Sequence, residues 1–204
     1  MPHDAALHER TRGNLSAFER LPCESTGLVP AAVAFVIARD AAGEAGFILT
    51  RRAPKLREHG GQWALPGGRV DAGETVVEAA LRELDEEVGI NLHPDRVLGV
   101  LDDYPTRSGF VITPVVVWGD DSPMRPAPQE VAAAYHVPLA RLMADDVVGS
   151  YQIPESERPV LTVSLLGDKV HAPTAAVVYQ AREVAIAGRS TRVVDFEQPV
   201  FAWR

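Results

Sequence analysis

The chain has 204 residues, 46% of them hydrophobic and 24% charged, a globular composition that excludes wholesale disorder. Its formal net charge of −8 excludes a nucleic-acid coat, which needs a basic footprint, but not a local basic pocket for an anion. Cys23 is the only cysteine, which excludes a disulfide framework and a cysteine-rich zinc site and makes a reducing cytoplasm the expected location.

Leu7, Leu15, Phe18 and Leu21 predict a short amphipathic helix over 5–21, with Pro22 breaking it. Asp4, Glu9, Arg10 and Arg12 interrupt any signal-peptide core there. The dense apolar run 31–38 predicts a strand, paired with 46–51 across a turn. Residues 54–73 are rich in glycine, proline and charge and predict a functional loop, with a short strand at 62–65. A helix is expected over 75–88 and strands over 97–102 and 110–118. A proline-rich loop follows at 120–129, then a short strand at 135–137 and a helical turn at 139–143. A strand at 160–166 and a helix at 174–184 after Pro173 complete the core. Strands alternating with two main helices indicate a mixed α/β sandwich. No uncharged stretch reaches the ~20 residues of a membrane span. The expected division is an N-terminal helical extension at 1–27, a main domain at 28–186 and an apolar tail at 187–204. Phe196, Val200, Phe201 and Trp203 in that tail are expected to pack on the core or on a second subunit of a homodimer. The lone histidines His136 and His171 read as structural.

The segment 68–90 reads GRVDAGETVVEAALRELDEEVGI. Thr75 with Glu78 forms a capping box, and Gly89 suits the position after the helix. Val77, Ala80, Leu81, Leu84 and Val88 make the buried stripe. Glu83, Glu86 and Glu87 crowd an arc of about 100° on another face. Like charges at this spacing repel, and the helix dipole disfavours anions near its C-terminus. Alone, such a run reads as a solvated acidic face; behind a glycine-rich loop at fixed spacing, an oxygen cluster of this kind suits Mg2+ or Mn2+.

These residues resemble the Nudix box of the Nudix hydrolase superfamily, G-x5-E-x7-R-E-U-x-E-E-x-G-U. Gly68, Glu74, Arg82, Glu83, Leu84, Glu86, Glu87, Gly89 and Ile90 match. The resemblance implies a Nudix-type α/β/α sandwich with a mixed sheet. It also implies metal-dependent hydrolysis of a nucleotide-derived small molecule, while the acidic charge and the lack of a long uncharged stretch predict no nucleic-acid and no membrane partner. It places the metals on Glu83, Glu86, Glu87 and the Gly67 carbonyl, with Glu74 and Arg82 in support. Glu83, Glu86 and Glu87 are thereby catalytic, and Glu130 is the leading candidate for the base, ahead of Asp102 and Asp103.

Upstream, 48–68 reads ILTRRAPKLREHGGQWALPGG, where Arg51, Arg52, Lys55 and Arg57 outnumber Glu58. A basic cluster leading into a carboxylate site suits a polyphosphate ligand, and the alternative is that its arginines pair with the acidic helix. The stretch also resembles the signature that precedes the box in coenzyme A pyrophosphatases. Thr50, Arg52, Arg57, His59, Gly61, Gln62, Pro66, Gly67 and Gly68 match, while Trp63 and Leu65 depart from it. That resemblance implies cleavage of coenzyme A or acyl-coenzyme A to 3′,5′-ADP and (acyl-)4′-phosphopantetheine. Arg52, Arg57, His59 and Gln62 would contact the substrate. The alternatives are the same chemistry on ADP-ribose, dinucleotides or nucleoside triphosphates, and a nucleotide-sensing module without turnover.

Overall fold

The computed structural model describes residues 1–23, 27–55 and 60–203. Helix α1 (Ala5–Ala17) starts where the Asp4 carboxylate accepts the Leu7 N–H, and it buries Leu7, Thr11 and Leu15 at successive turns. It ends at Ala17 and not at residue 21. Past that point Arg20 and the Leu21 N–H are drawn to Asp103 and Asp102.

The main sheet is built from β1 (Val29–Arg39), β2 (Ala45–Arg52), β3 (Trp63–Ala64), β4 (Gly67–Arg69), β5 (Val97–Val100), β6 (Tyr104–Pro105), β7 (Phe110–Trp118) and β8 (Val131–Pro138). Helix α2 (Val76–Val88) lies between β4 and β5, and the single turn α3 (Leu139–Leu142) follows β8. A second, antiparallel sheet holds β9 (Val148–Ile153), β10 (Ser156–Leu165) and β11 (Asp168–His171) in the order β11-β10-β9. Helix α4 (Thr174–Gln180) continues into a wider π-helical stretch, Ala181–Ile186.

Strand β1 runs parallel to β7 along one edge. Along its other edge it pairs antiparallel with β2 over Ile37–Arg39 and with β4 over Ala31–Val33. The sheet therefore splits at this point, and the opening is filled by β3 and β4. Successive side chains of a strand point to opposite faces. On β1, Ala32, Ala34, Val36 and Ala38 face α2, while Phe35 and Ile37 join Leu7, Leu15, Val178 and Val184 from the other helical layer. Both faces are covered, so β1 reads as one apolar run. Small residues on the α2 side let that helix lie close to the sheet. This is an α/β/α sandwich with a mixed sheet, as expected.

Strand β8 extends well beyond 135–137, because pairing with β2 carries it through Ala132–Ala134, residues of weak strand propensity. Strands β9 and β11 escaped sequence reading. The first is exposed over most of its length and carries Gly149, Ser150 and Gln152, and the second is only four residues long and half charged. No helix among the described residues is long and apolar enough to cross a membrane.

Candidate active site

The glycine-rich strand β4 and helix α2 form the centre of the site. The capping box is complete: Thr75 Oγ1 accepts the Glu78 N–H, and Glu78 Oε2 accepts the Thr75 N–H at 2.8 Å. Gly89 closes the helix with φ 69°. The buried stripe includes Ala79, and it extends to Glu87, whereas Val77 is only partly covered. Glu87 has 3% of its side chain exposed, Glu83 13% and Glu86 57%. The three carboxylates are thus graded from core to solvent across one helix face.

Strand β4 must present bare backbone to these groups. Glu87 Oε2 accepts the Gly67 N–H at 3.2 Å. A Cβ on Gly68 would collide with the Glu83 carboxylate, and one on Gly67 would collide with the Ala32 carbonyl and Val33 Cα. Arg82 locks the arrangement. Its Nε donates to Glu74 Oε1 at 2.9 Å, and its Nη1 donates to Glu83 Oε1 at 2.8 Å and Glu86 Oε2 at 3.0 Å. Its Nη2 reaches the Arg69 carbonyl and Glu74. Glu74 also accepts the Asp71 N–H, which ties the loop to the helix.

Burial pushes the Glu87 carboxyl up to about 7. The Arg52 guanidinium and the Gly67 N–H oppose this, and Glu83 and Glu130 add to it. Glu83 is also raised, chiefly by burial, against the pull of Arg82 and with the push of Glu86 and Glu130. Glu74 is held low by Arg82 and the Asp71 N–H. Among the described residues no three acidic, histidine or cysteine side chains converge into a metal cage as they stand. Arg82 pairs with Glu83 and Glu86, and Arg52 with Glu87 at 3.6 Å. The donor set still fits a hard divalent cation: it is all oxygen, it is partly desolvated, and two of its members resist ionisation without further positive charge.

Neighbouring residues on a strand diverge, and the basic cluster divides accordingly. Arg52 turns to Glu87, and its buried Nε has no hydrogen-bond partner among the described residues. Arg51 turns to Asp168 and to the face of Trp63. Gln62 faces Arg52 across a backbone pair. Arg57 and His59 lie outside the described residues. Glu130 sits beside the end of β2, where its carbonyl accepts the Ala53 N–H, within electrostatic reach of Glu83 and Glu87.

A cleft of about 530 Å³ opens beside this centre, on the opposite side of β4 from α2. Arg52, Gly67, Gly68 and Arg69 line one end, and Phe110, Ile112 and Val177 give it apolar walls. The second sheet contributes Asp168, Lys169 and His171, and the tail contributes Phe201 and Ala202. These last residues were not legible as cleft residues. His171, read as structural, lines the cleft, and burial lowers its pKa. His136 is a packing residue, its Nε2 3.0 Å from the Ala38 carbonyl. Trp63 latches the two sheets together through Asp168 Oδ2 at 2.9 Å.

Asp102 and Asp103 are not base candidates. Asp102 binds the Leu21 N–H, Gln180 and Arg192, and Asp103 binds Arg20, Thr113 and the Cys23 N–H. Their acceptor capacity is spent on holding the segment after α1, Thr113 of β7 and the segment after α4.

A mixed sheet between helical layers, with a capped helix presenting carboxylates to a bare glycine strand, defines the Nudix fold class. The chain belongs to the Nudix family: the family model described as NUDIX domain matches residues 28–154. Among similar proteins are the uncharacterized Nudix hydrolase NudL of Escherichia coli O6:H1, 44% identical over 100 residues, and that of Cronobacter sakazakii, 44% over 102. These matches cover 48% and 49% of this chain and 52% and 53% of the relatives, so the chain spans about half the length of the curated relatives it matches. Similar solved structures are the Nudix hydrolase RenU from M. smegmatis (TM-score 0.53, 22% identity, 82% of this chain and 91% of that one) and a MutT/nudix family protein from Enterococcus faecalis (TM-score 0.51, 17%, 74% and 57%). At those identities they establish the fold alone.

Proposed function

We propose that the protein is a divalent-metal-dependent pyrophosphohydrolase acting on coenzyme A or acyl-coenzyme A in the cytoplasm, with 3′,5′-ADP and (acyl-)4′-phosphopantetheine as products. The observation that carries this reading is the cleft. Its Arg52 and Gly67–Gly68 end adjoins the carboxylates, its walls are largely apolar, and Arg69 and Lys169 place cations on two different sheets. A substrate with a pyrophosphate, a separate 3′-phosphate and a long weakly polar arm needs those features together. The signature over 48–68 supports the substrate, and the NudL relatives, named as Nudix hydrolases, support the hydrolase class alone.

In this proposal Glu83, Glu86, Glu87 and the Gly67 carbonyl hold Mg2+ or Mn2+. Such an ion, when bound, neutralises pyrophosphate charge and makes water a better nucleophile. Glu130 accepts the proton of the attacking water as its oxygen bonds to phosphorus and the anhydride P–O bond breaks. Arg82 and Glu74 keep β4 and α2 in register. Arg52 and Gln62 orient the phosphates, and Arg57 and His59 join them on the strength of the sequence pattern.

The test is product identification. Coenzyme A with Mg2+ or Mn2+ should yield 3′,5′-ADP and 4′-phosphopantetheine by mass spectrometry. Faster turnover of ADP-ribose, NADH or a nucleoside triphosphate would replace the substrate. Binding without turnover would leave a nucleotide-sensing module.

A further inference from the structure

The tail raises a question that the Nudix motif does not answer. Phe201 is 55% exposed, yet it does not hang free. It belongs to a 3₁₀ turn, Val200–Ala202, whose Ala202 is buried. On one side Trp203 Nε1 donates to the Gln198 carbonyl at 2.9 Å, with Arg107 over the indole. On the other, Glu197 is fully buried and accepts from Arg107 at 2.6 Å and Arg158 at 2.9 Å. Gln198 ties the turn to Arg107 N–H and the Pro105 carbonyl. A solvent-exposed aromatic is thus held by a buried polar lock at the mouth of the cleft.

Phe201 also has a ring partner. His171 packs edge-on against it at 5.4 Å and is itself braced by Tyr151 at 5.8 Å. Lys169, two residues from His171, lines the same cleft and makes no ion pair among the described residues. An exposed ring, fixed by a half-buried one at a cleft mouth beside a cation, suits a flat heterocycle that carries phosphate.

We infer that Phe201, braced by His171, is the stacking platform for the nucleobase of the substrate, so that the C-terminal tail supplies specificity to the cleft. The inference rests on the cleft being the substrate site, but not on coenzyme A being the substrate.

AMP is the probe, because it carries the base and one phosphate without the pantetheine arm. Its affinity is measured by calorimetry for the wild type and for Phe201→Ala, Phe201→Leu and Phe201→Tyr, with melting temperatures recorded for each. The side chain is exposed, so all four proteins should melt alike. Loss of a stacking ring should weaken AMP binding roughly ten- to a hundredfold in both the Ala and Leu variants. The Tyr variant should stay within about threefold of wild type, since it keeps the ring. Wild-type affinity in Phe201→Leu would mean apolar bulk without stacking and would overturn the assignment. Unchanged binding in Phe201→Ala, or no AMP binding by the wild type, would do the same. Phe201-dependent AMP binding with no coenzyme A hydrolysis would remove the coenzyme A proposal and leave this one standing.

Discussion

Glu87 is the most deeply buried of the three carboxylates that α2 turns toward β4. Its carboxyl is raised to about 7 because burial penalises the charge more than Arg52 and the Gly67 N–H repay it. A carboxyl whose folded-state pKa is raised favours folding while protonated, and that contribution is lost as pH rises through about 7. Metal-free protein should therefore melt at a lower temperature at about pH 8 than at about pH 5, and Glu87→Gln should flatten that slope. The same variant should lose at least about a hundredfold in metal-dependent turnover. Full activity in Glu87→Gln would remove the ligand assignment. The two adjacent glycines separate fold from function. Gly67→Ala drives a methyl into the β1 backbone and should cost roughly 1–3 kcal/mol in chemical denaturation. Gly68→Ala presses on the flexible end of Glu83, so it should fold nearly normally and lose activity. Equal stability losses in the two variants would contradict this division.

Among the elements, α2 was the most legible, because its caps, stripe and acidic face are all local signals between Thr75 and Gly89. Strand β7 was clear too, since Phe110–Trp118 is largely apolar and bounded by glycines. The cleft was legible only on its β2–β4 side. Its other wall is made by Lys169 and His171 on a four-residue strand and by Phe201 in the tail, which meet by tertiary packing between segments some thirty residues apart. Neither segment carries a pattern that announces the other. The tail lock gives this scale its own prediction. Arg107, with the Gln198 N–H and Arg158, holds Glu197 well below the usual carboxylate range. A depressed carboxyl stabilises the fold above its unfolded pKa, and the gain is lost as pH falls below it. Glu197→Gln should thus cost about 1.5–3 kcal/mol near pH 7, and the gap to wild type should shrink below about pH 4. Melting temperatures of the two proteins across that range decide it, and a gap independent of pH would show that the charge does not hold the tail.

At the scale of the whole molecule, the segment after α1 and the segment after α4 meet at Asp102 and Asp103. Asp102 and Asp103 take hydrogen bonds from Arg20, Leu21 and Cys23 of the N-terminal extension, and Asp102 also takes them from Gln180 and Arg192. We propose that the described residues of the extension, 1–23, brace the domain and that those of the tail, 187–203, also finish its cleft. The cleft then reaches the Gly67–Gly68 strand that touches Glu83 and Glu87 from its other side, and it carries cations from two sheets and an aromatic wall from the tail. Coenzyme A differs from ADP-ribose by its 3′-phosphate and its pantetheine arm, and it is the ligand that would use all of these. The decisive measurement is kcat/KM with Mg2+ for coenzyme A, dephospho-coenzyme A and ADP-ribose on the same preparation. Coenzyme A should lead dephospho-coenzyme A by roughly tenfold or more, one charge-assisted contact to the 3′-phosphate, with ADP-ribose last. If ADP-ribose has the highest kcat/KM of the three, coenzyme A is not the substrate of this site.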